Sequence, residues 1–412
     1  MEPKIRFKGF EGEWKEAKLG DIATFSKGSG YSKSDLCKEG SPIVLYGRLY
    51  TKYQSIIDEI DTFVAPKANS VISTGGEVII PASGESPEDI SLAATIKNAG
   101  VIIGGDLNVL KFDYNNNNSA FMSMAITYSP TRSELSNYSQ GKTVVHLRNS
   151  EIAKGNVCFP RIEEQKAIVN YVLSLDSQIS AATSRLASLK QMKAASLQAL
   201  FPQEGETVPK IRFKGFEGEW KTCVLSSIAT MHARIGWQNL RKDEFLSSGD
   251  YYLITGTDFH DGKISFETCH YIDKERYDQD KNIQLETDSI LITKDGTLGK
   301  VAFVDSLDKP ATLNAGVFNV KTKDKEIYPK YLFQYLKAPY LMDYVNKNAT
   351  GGTIKHLNQN MLVNFPVQHP SYKEQVMIGD YLFNLDRQIS LQSQRLEKLK
   401  QIKSACLDKM FV

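Results

Sequence analysis

Residue types that could do chemistry are present in this chain, but their spacings do not support it. Ser136 to Thr143, SNYSQGKT, ends like a P-loop, in which a glycine-rich backbone and a lysine cradle nucleotide phosphates. The first glycine of that pattern is replaced by Ser136 and no strong amphipathic helix follows, so the stretch reads as a polar turn. His260, Cys269 and His270 are metal-ligating types close together in sequence. Their spacing matches no zinc finger or zincin and no fourth ligand is evident, so they read as ordinary strand or loop residues and no metal is expected. The sequence holds no G-x-S-x-G elbow, no dinucleotide fingerprint in a strand-to-helix setting, no Asn/Asp-Pro-Pro-aromatic methyltransferase motif and no persuasive nuclease carboxylate cluster. His146 and His356 occupy equivalent places in the two halves of the chain, which suits a structural role better than catalysis. A binding protein is the class that remains.

For binding, the informative stretches are polar or basic with an aromatic or a glycine beside them. Arg234-Ile235-Gly236-Trp237-Gln238-Asn239 offers a guanidinium, two amides and an indole, and Thr293-Lys294-Asp295-Gly296-Thr297 a tight polar turn. Their counterparts in the first half are Ser26-Lys27-Gly28-Ser29-Gly30-Tyr31 and Ser83-Gly84-Glu85, with Lys142 and Lys355 in the glycine-containing turns just before each half's long helix. These side chains suit readout of base edges and phosphates, and glycine permits close backbone approach. The expected DNA-contacting set is therefore Lys27, Tyr31, Ser83, Gly84, Glu85, Lys142, Arg234, Trp237, Gln238, Asn239, Thr293, Lys294, Asp295, Thr297 and Lys355. Fifty basic against 48 acidic residues leave a net charge of +2, so any nucleic-acid site must be local.

What must position these loops is a duplicated scaffold. PKIRFKGFEGEW at residues 3–14 returns letter for letter at 209–220, an offset of 206 in a chain of 412 residues. Near the end of each half the offset is 210: His146-Leu147 matches His356-Leu357, Pro160 matches Pro370, Glu164-Gln165 matches Glu374-Gln375 and Phe201 matches Phe411. Apolar residues step by four and three through Ile168, Val172, Leu175, Ile179, Ala182, Leu186 and Leu189, and again through Ile378, Leu382, Leu385, Ile389, Gln392, Leu396 and Leu399. That is the heptad signature of helices packed along a coiled-coil seam. About 38 residues make a rod of roughly 55 Å. The linker after the first helix is short, so the second helix is expected to return antiparallel, giving a dumbbell with a pseudo-twofold axis.

Short β-like runs such as Glu77-Val78-Ile79-Ile80 and Ile290-Leu291-Ile292-Thr293 punctuated by glycine turns predict mixed α/β (α+β) globular domains. The segments GEVIIPASGESPED at 76–89 and SILITKDGTLGK at 289–300 share a plan but not their loop residues. The reading is a globular domain at 1–158, a long helix at 159–201, a linker at 202–208, a second domain at 209–368 and a second helix at 369–412. Identical segments meet a common demand, whereas divergent loops on a common scaffold can meet two targets. PKIRFKGFEGEW is therefore expected to anchor each domain to the rod, with Phe7, Phe10 and Trp14 packed inward. Cys37, Cys158, Cys223, Cys269 and Cys406 form no CxxC pair, and no signal peptide or long apolar run is present, so a reduced, cytoplasmic setting without a membrane is expected.

The order of these features resembles the specificity subunit of type I restriction-modification enzymes over essentially the whole chain. The resemblance rests on Trp14-Lys15 with Leu19, Ile22 and Ala23, on Trp220-Lys221 with Leu225, Ile228 and Ala229, on the paired Glu-Gln, and on L-D-x-Q-I-S at 175–180 and 385–390. It implies a non-catalytic reader of double-stranded DNA, with two target recognition domains each contacting one half of a bipartite site and the helices fixing the gap. It further implies two methylation subunits carrying S-adenosylmethionine and motor-nuclease subunits using ATP and Mg²⁺, with no cofactor in this chain. A coiled-coil protein-interaction scaffold that touches no DNA is the alternative.

Overall fold

The computed structural model describes residues 1–141, 143–235, 240–294, 298–323, 326–348, 357 and 359–412. Two long helices dominate it, α1 (Ile162–Leu200) and α2 (Tyr372–Lys409). α1 contains no glycine or proline; Pro160 precedes it, Pro202 follows it, and Glu163 and Glu164 in its first turn complement the helix dipole. Among the described residues, no helix is long and apolar enough to cross a membrane.

The chain forms two compact units that cut across both helices: Met1–Thr183 with Gln394–Val412, and Ser184–Ser393. Each unit thus contains a mixed α/β domain, the first half of that domain's own helix and the last half of the other helix. In the first unit α1 and the end of α2 run antiparallel, with Lys403 paired to Asp176 at 2.5 Å and the Ile5 amide donating to the Lys409 carbonyl at 3.0 Å. In the second, Lys193 near the end of α1 pairs with Asp386 of α2, and the Ile211 amide donates to Ala199. The aspartates are those of the two L-D-x-Q-I-S runs.

Along the apolar seam Ile168, Val172, Leu175, Ala182, Leu189, Ile378, Leu382, Leu385, Gln392 and Leu396 are buried, while Ile179, Leu186, Ile389 and Leu399 are half-buried. The stepping continues past Leu189 onto Lys193, only 9% exposed, so a lysine occupies the next seam position.

The repeated block is an anchor in each unit. Trp14 and Trp220 are 3% and 4% exposed. Trp14 meets Phe121 edge-on at 5.6 Å, and Phe121 in turn lies 5.5 Å from Phe411 at the far end of the chain. Trp220 meets Phe201 at 6.2 Å and Tyr331 at 6.1 Å in the second unit. The matched residues Phe201 and Phe411 therefore fill the same slot, each supplied by the incoming helix end. Phe7 packs on Tyr171 and Phe213 on Tyr381. Arg6 grips Glu164 through two nitrogens at 2.8 Å each, and Arg212 grips Glu374 at 2.7 and 2.8 Å. The neighbouring glutamine ties the helix to the domain: Gln165 accepts from the Asn118 amide and donates to Pro160 and Asn116, and Gln375 accepts from Tyr328 and donates to Pro370 and Glu326.

Each domain is closed by pairing its first strand with its last. Lys15–Lys18 runs antiparallel to Asn156–Phe159, and Lys221–Val224 to Pro366–His369. One helical turn follows, Leu19–Ile22 or Leu225–Ile228, whose leucine is fully buried, which accounts for the L-x-x-I-A letters.

In the first domain the turn Ser73–Glu77 buries a carboxylate that accepts hydrogen bonds from Ser73 Oγ, the Thr74 amide at 2.8 Å and Thr74 Oγ1 at 2.7 Å. Burial alone would raise the Glu77 carboxyl; these bonds outweigh it and hold it at about 2. Because the folded value is depressed, this stabilisation is present above the ordinary value of 4.5 and is lost as pH falls from there toward about 2. Thermal unfolding of Glu77→Gln should therefore show a shallower fall in stability across that acid window than the parent chain.

Arg6→Ala leaves Glu164 buried without its partner and should cost about 3 kcal/mol. Restoring neutrality with Glu164→Gln in the same chain should recover much of the loss in urea unfolding, and Arg212→Ala with Glu374→Gln should behave likewise.

Candidate nucleic-acid interface

In the first domain three adjacent antiparallel strands, β1 (Ala23–Lys27), β2 (Glu77–Pro81) and β3 (Leu107–Phe112), lie in one sheet with β3 in the middle. Lys27 pairs with Asn108 and Pro81 with Leu107, so the end of β1, the end of β2 and the start of β3 meet at one edge. The chain turns sharply there. Asp106 has φ of 57° and its carbonyl accepts from the Ala82 amide at 2.7 Å. A side chain at Gly28 would place its Cβ 1.9 Å from the Gly104 carbonyl oxygen, so the backbone approach admits only glycine.

Ser83–Gly84 leaves this edge and pairs antiparallel with Val145–His146. The Leu147 amide donates to Ala82 at 3.0 Å, Tyr50 Oη donates to the Ser83 carbonyl at 2.7 Å, and Asn108 Nδ2, fully buried, donates to Leu147 at 2.8 Å. Lys27, Glu85 and His146 are exposed around the strand ends.

Tyr31 corrects the expectation of a surface reader. Its ring is buried, its hydroxyl bonds Ser70 Oγ at 2.5 Å and accepts from the Lys67 amide, and Lys67 Nζ lies 4.4 Å above the ring. A hydroxyl satisfied on both sides inside the domain has no face left for a base edge.

The second domain repeats the plan. Strands β4 (Ala229–Ala233), β5 (Ile290–Thr293) and β6 (Val317–Thr322) share a sheet with β6 between the others. Ala233 pairs with Phe318 and Thr293 with Val317, so Arg234, Lys294 and Gly316 gather at the same sheet edge. The Lys294 amide donates to Gly316 at 2.9 Å, and the Leu357 amide donates to Lys294 at 3.4 Å, matching the Leu147 bond to Ala82. Lys294 is half-buried, with its ammonium 5.7 Å from the Phe318 ring.

Two further expectations change here. Thr293 is fully buried, its hydroxyl accepting from the Lys300 amide at 2.9 Å. Arg234 is 2% exposed, donating through Nε to the Leu313 carbonyl at 2.9 Å. Burial and neighbouring Arg276 lower its pKa, with Asp280 and Glu244 opposing them. Both side chains are spent on bonds inside the domain, so neither is free to read a base edge. Lys142, Trp237, Gln238, Asn239, Asp295, Thr297 and Lys355 lie outside the described residues.

The remaining chemical candidates are dispersed. Cys269 is buried with its thiol on the Ser265 carbonyl, burial and then Asp258 pushing it up to about 12, while His270 packs on Phe245 at 5.2 Å and His260 is exposed. Among the described residues, no three His, Cys, Asp or Glu side chains are grouped as metal ligands. Asn108 and Tyr50 were not foreseen from the sequence. The signal for Asn108 was an amide inside the apolar run Leu107-Asn108-Val109-Leu110, which burial makes useful only if it is bonded.

The duplicated α/β domain, its Arg-Glu anchors and the two long helices are one plan used twice. The chain belongs to the type I restriction modification DNA specificity domain family, whose model matches it twice, at residues 11–191 and 217–401. It is 22% identical over 280 residues to the type I restriction enzyme EcoBI specificity subunit of Escherichia coli, covering 63% of this chain and 59% of that relative's length. Its fold is similar to the crystal structure of a type I restriction-modification system S subunit from M. genitalium, with a TM-score of 0.63 and 16% identity over 100% of this chain and 99% of that one.

Asn108→Ala removes the bonds to Leu147 and Pro81 and leaves buried carbonyls unsatisfied, a loss of about 1–3 kcal/mol. Hydrogen exchange should localise the weakening to the Ser83–Gly84 and Val145–His146 pair, with the second domain unchanged.

Proposed function

We propose that this chain is the non-catalytic, sequence-specific DNA-binding subunit of a type I restriction-modification complex. Each recognition domain reads one half of a bipartite double-stranded site, and the antiparallel helices set the unspecified gap between the halves. Two methylation subunits carrying S-adenosylmethionine methylate adenine at the site, and motor-nuclease subunits using ATP and Mg²⁺ restrict unmodified DNA. The complex works in the cytoplasm.

The observation that carries this reading is the contrast between what the two units share and what they do not. The anchors repeat residue for residue, from Arg6 and Glu164 to Arg212 and Glu374, while the loops at the matching sheet edge differ: Ala82-Ser83-Gly84-Glu85 in one, Thr293-Lys294 and Arg234 in the other. Unlike loops on one plan suit two unlike targets, and the match to a DNA specificity domain family supports two DNA half-sites over two proteins. In this proposal Lys27, Ser83, Glu85 and Lys294 face DNA together with Lys142, Trp237, Gln238, Asn239, Asp295, Thr297 and Lys355; the expected Gly84 is buried beside Tyr50 and is not among them. Lysines on phosphate supply position, and the polar loop tips supply base discrimination. A net charge of +2 is compatible with this, because partner subunits can neutralise phosphate alongside the chain.

The test is to map methylated adenines in cells carrying this chain with its methylation partner. A bipartite motif with one fixed gap is expected. Exchanging residues 15–145 for another such domain should alter one half of that motif and leave the other half intact; a motif that does not change in either half would refute the modular reading.

A further inference from the structure

The two domains are seated on their own helices by different physics, although the helices have nearly the same plan. In the second unit the domain helix Pro329–Lys337 and its neighbours contact α2 at four positions, Gly379, Asp380, Phe383 and Asp386. Tyr328 Oη and Lys330 Nζ reach Asp380 at 2.8 and 3.1 Å. Gln334 Nε2 and Lys337 Nζ reach Asp386 at 2.7 and 3.2 Å. Phe383 packs between Phe303 at 5.3 Å and Phe333 at 6.3 Å, with Lys330 Nζ 4.9 Å from its ring. At Gly379 the backbones come so close that a Cβ would stand 2.7 Å from the Tyr331 amide nitrogen.

The matching positions of the first unit do none of this. Asn170 stands for Asp380, Leu173 for Phe383 and Val169 for Gly379. Asn170 is exposed and Leu173 is 41% exposed. On the domain helix Ser119–Tyr128, counted from the shared glutamine contact, Ala120, Met124 and Thr127 stand for Lys330, Gln334 and Lys337. Ser123 and Thr127 bond inside their own domain, to the Ser55 carbonyl and the Ala93 amide. Asp176 is left, among the described residues, with Lys403 of the partner helix.

Asp386 is therefore a three-way node. It holds Lys193 of α1, Lys337 and Gln334 of the domain, and is itself part of α2. Lys337 also donates to the Asp261 carbonyl at 2.9 Å, which carries the tie into the Phe259–Ile264 hairpin of the domain. Burial would raise the Asp386 carboxyl, but Lys337 and Lys193 outweigh it and keep it below its ordinary value, so the node is ionic. Removing one member of such a buried set leaves the others uncompensated, so the geometry has little tolerance for alternatives.

We propose that Asp386, Lys337 and Gln334 form a positioning cluster that fixes the seat of the second recognition domain on the paired helices, so that this half of the molecule holds the gap to one value. The inference rests on the reading of the chain as a reader of a bipartite site. It assigns these residues no contact with DNA.

The experiment maps methylated adenines for the complex of full-length chain and methylation subunits, comparing the parent with Asp386→Asn, with a Lys330→Met, Lys337→Met double variant, and with Asp176→Asn. The double variant leaves the Lys193–Asp386 pair between the helices intact, so it tests the cluster even if Asp386→Asn does not fold. Expected is a roughly tenfold larger share of sites methylated with the gap one base pair longer or shorter, within the range by which altering a packed network changes coupling between sites. The bases of both halves stay the same, and Asp176→Asn keeps the parental gap. An unchanged gap in the double variant, an equal broadening by Asp176→Asn, or a change in second-half bases would overturn the assignment while leaving the bipartite reading in place. A parent complex with no bipartite pattern would remove both.

Discussion

A two-pronged arginine–carboxylate bond, made once in each unit, is the contact on which the rest of the architecture depends. Arg6 and Glu164 are 158 residues apart, Arg212 and Glu374 162, so each bond closes a whole domain into a loop whose ends meet at the base of a long helix. The two parallel N–H bonds fix angle as well as distance, which a lysine could not do. Taking these charges out of water offsets much of their attraction. Their value lies in register: with the carboxylate on the first turn of the helix and the guanidinium on the repeated block, the domain has one way to sit. The adjacent Gln165 or Gln375 then bonds backbone groups of the domain and of the proline that leads into the helix, so one dipeptide joins three segments.

That constraint explains why each helix can serve two units. The end of α1 brings Leu200 and Phe201 into the core around Trp220, and the end of α2 brings Leu407, Met410 and Phe411 into the core around Trp14. Neither domain completes its own core; each is finished by the helix that begins on the other. The repeated block is where this happens: Arg6 and Arg212 answer to the same helix start, and Trp14 and Trp220 to the same incoming helix end. Sequence identity here reports a shared packing problem, and DNA readout must be sought where the halves differ.

Much of this was legible in the sequence because it was written twice. The offsets of 206 and 210 residues, the four-three stepping and the positions of proline located both helices, and the paired Glu-Gln marked their starts. What could not be read depended on contacts across long separations. Lys193 was passed over because a seam is recognised by apolar letters, and its partner Asp386 is 193 residues away. Tyr31, Thr293 and Arg234 sit in glycine-rich polar stretches and so read as surface, yet local composition does not tell which side of a turn faces the sheet. The matching of Phe201 with Phe411 was visible, but its meaning required seeing which core each one enters.

The duplication is also unequal in a way that composition conceals. Val169 and Gly379, Leu173 and Phe383, Asn170 and Asp380 are modest differences on a helix surface, and each alone would pass as drift. Together they divide one mode of seating from another. A glycine on the second helix admits the backbone of the domain, a phenylalanine fills the space beside it, and two aspartates receive the cations that the domain helix presents. On the first helix Asn170 and Leu173 turn to solvent, Val169 packs into the apolar core, and the domain satisfies its own polar groups. In the second unit these half-buried ion pairs add directional contacts to the Arg-Glu anchor that both domains share.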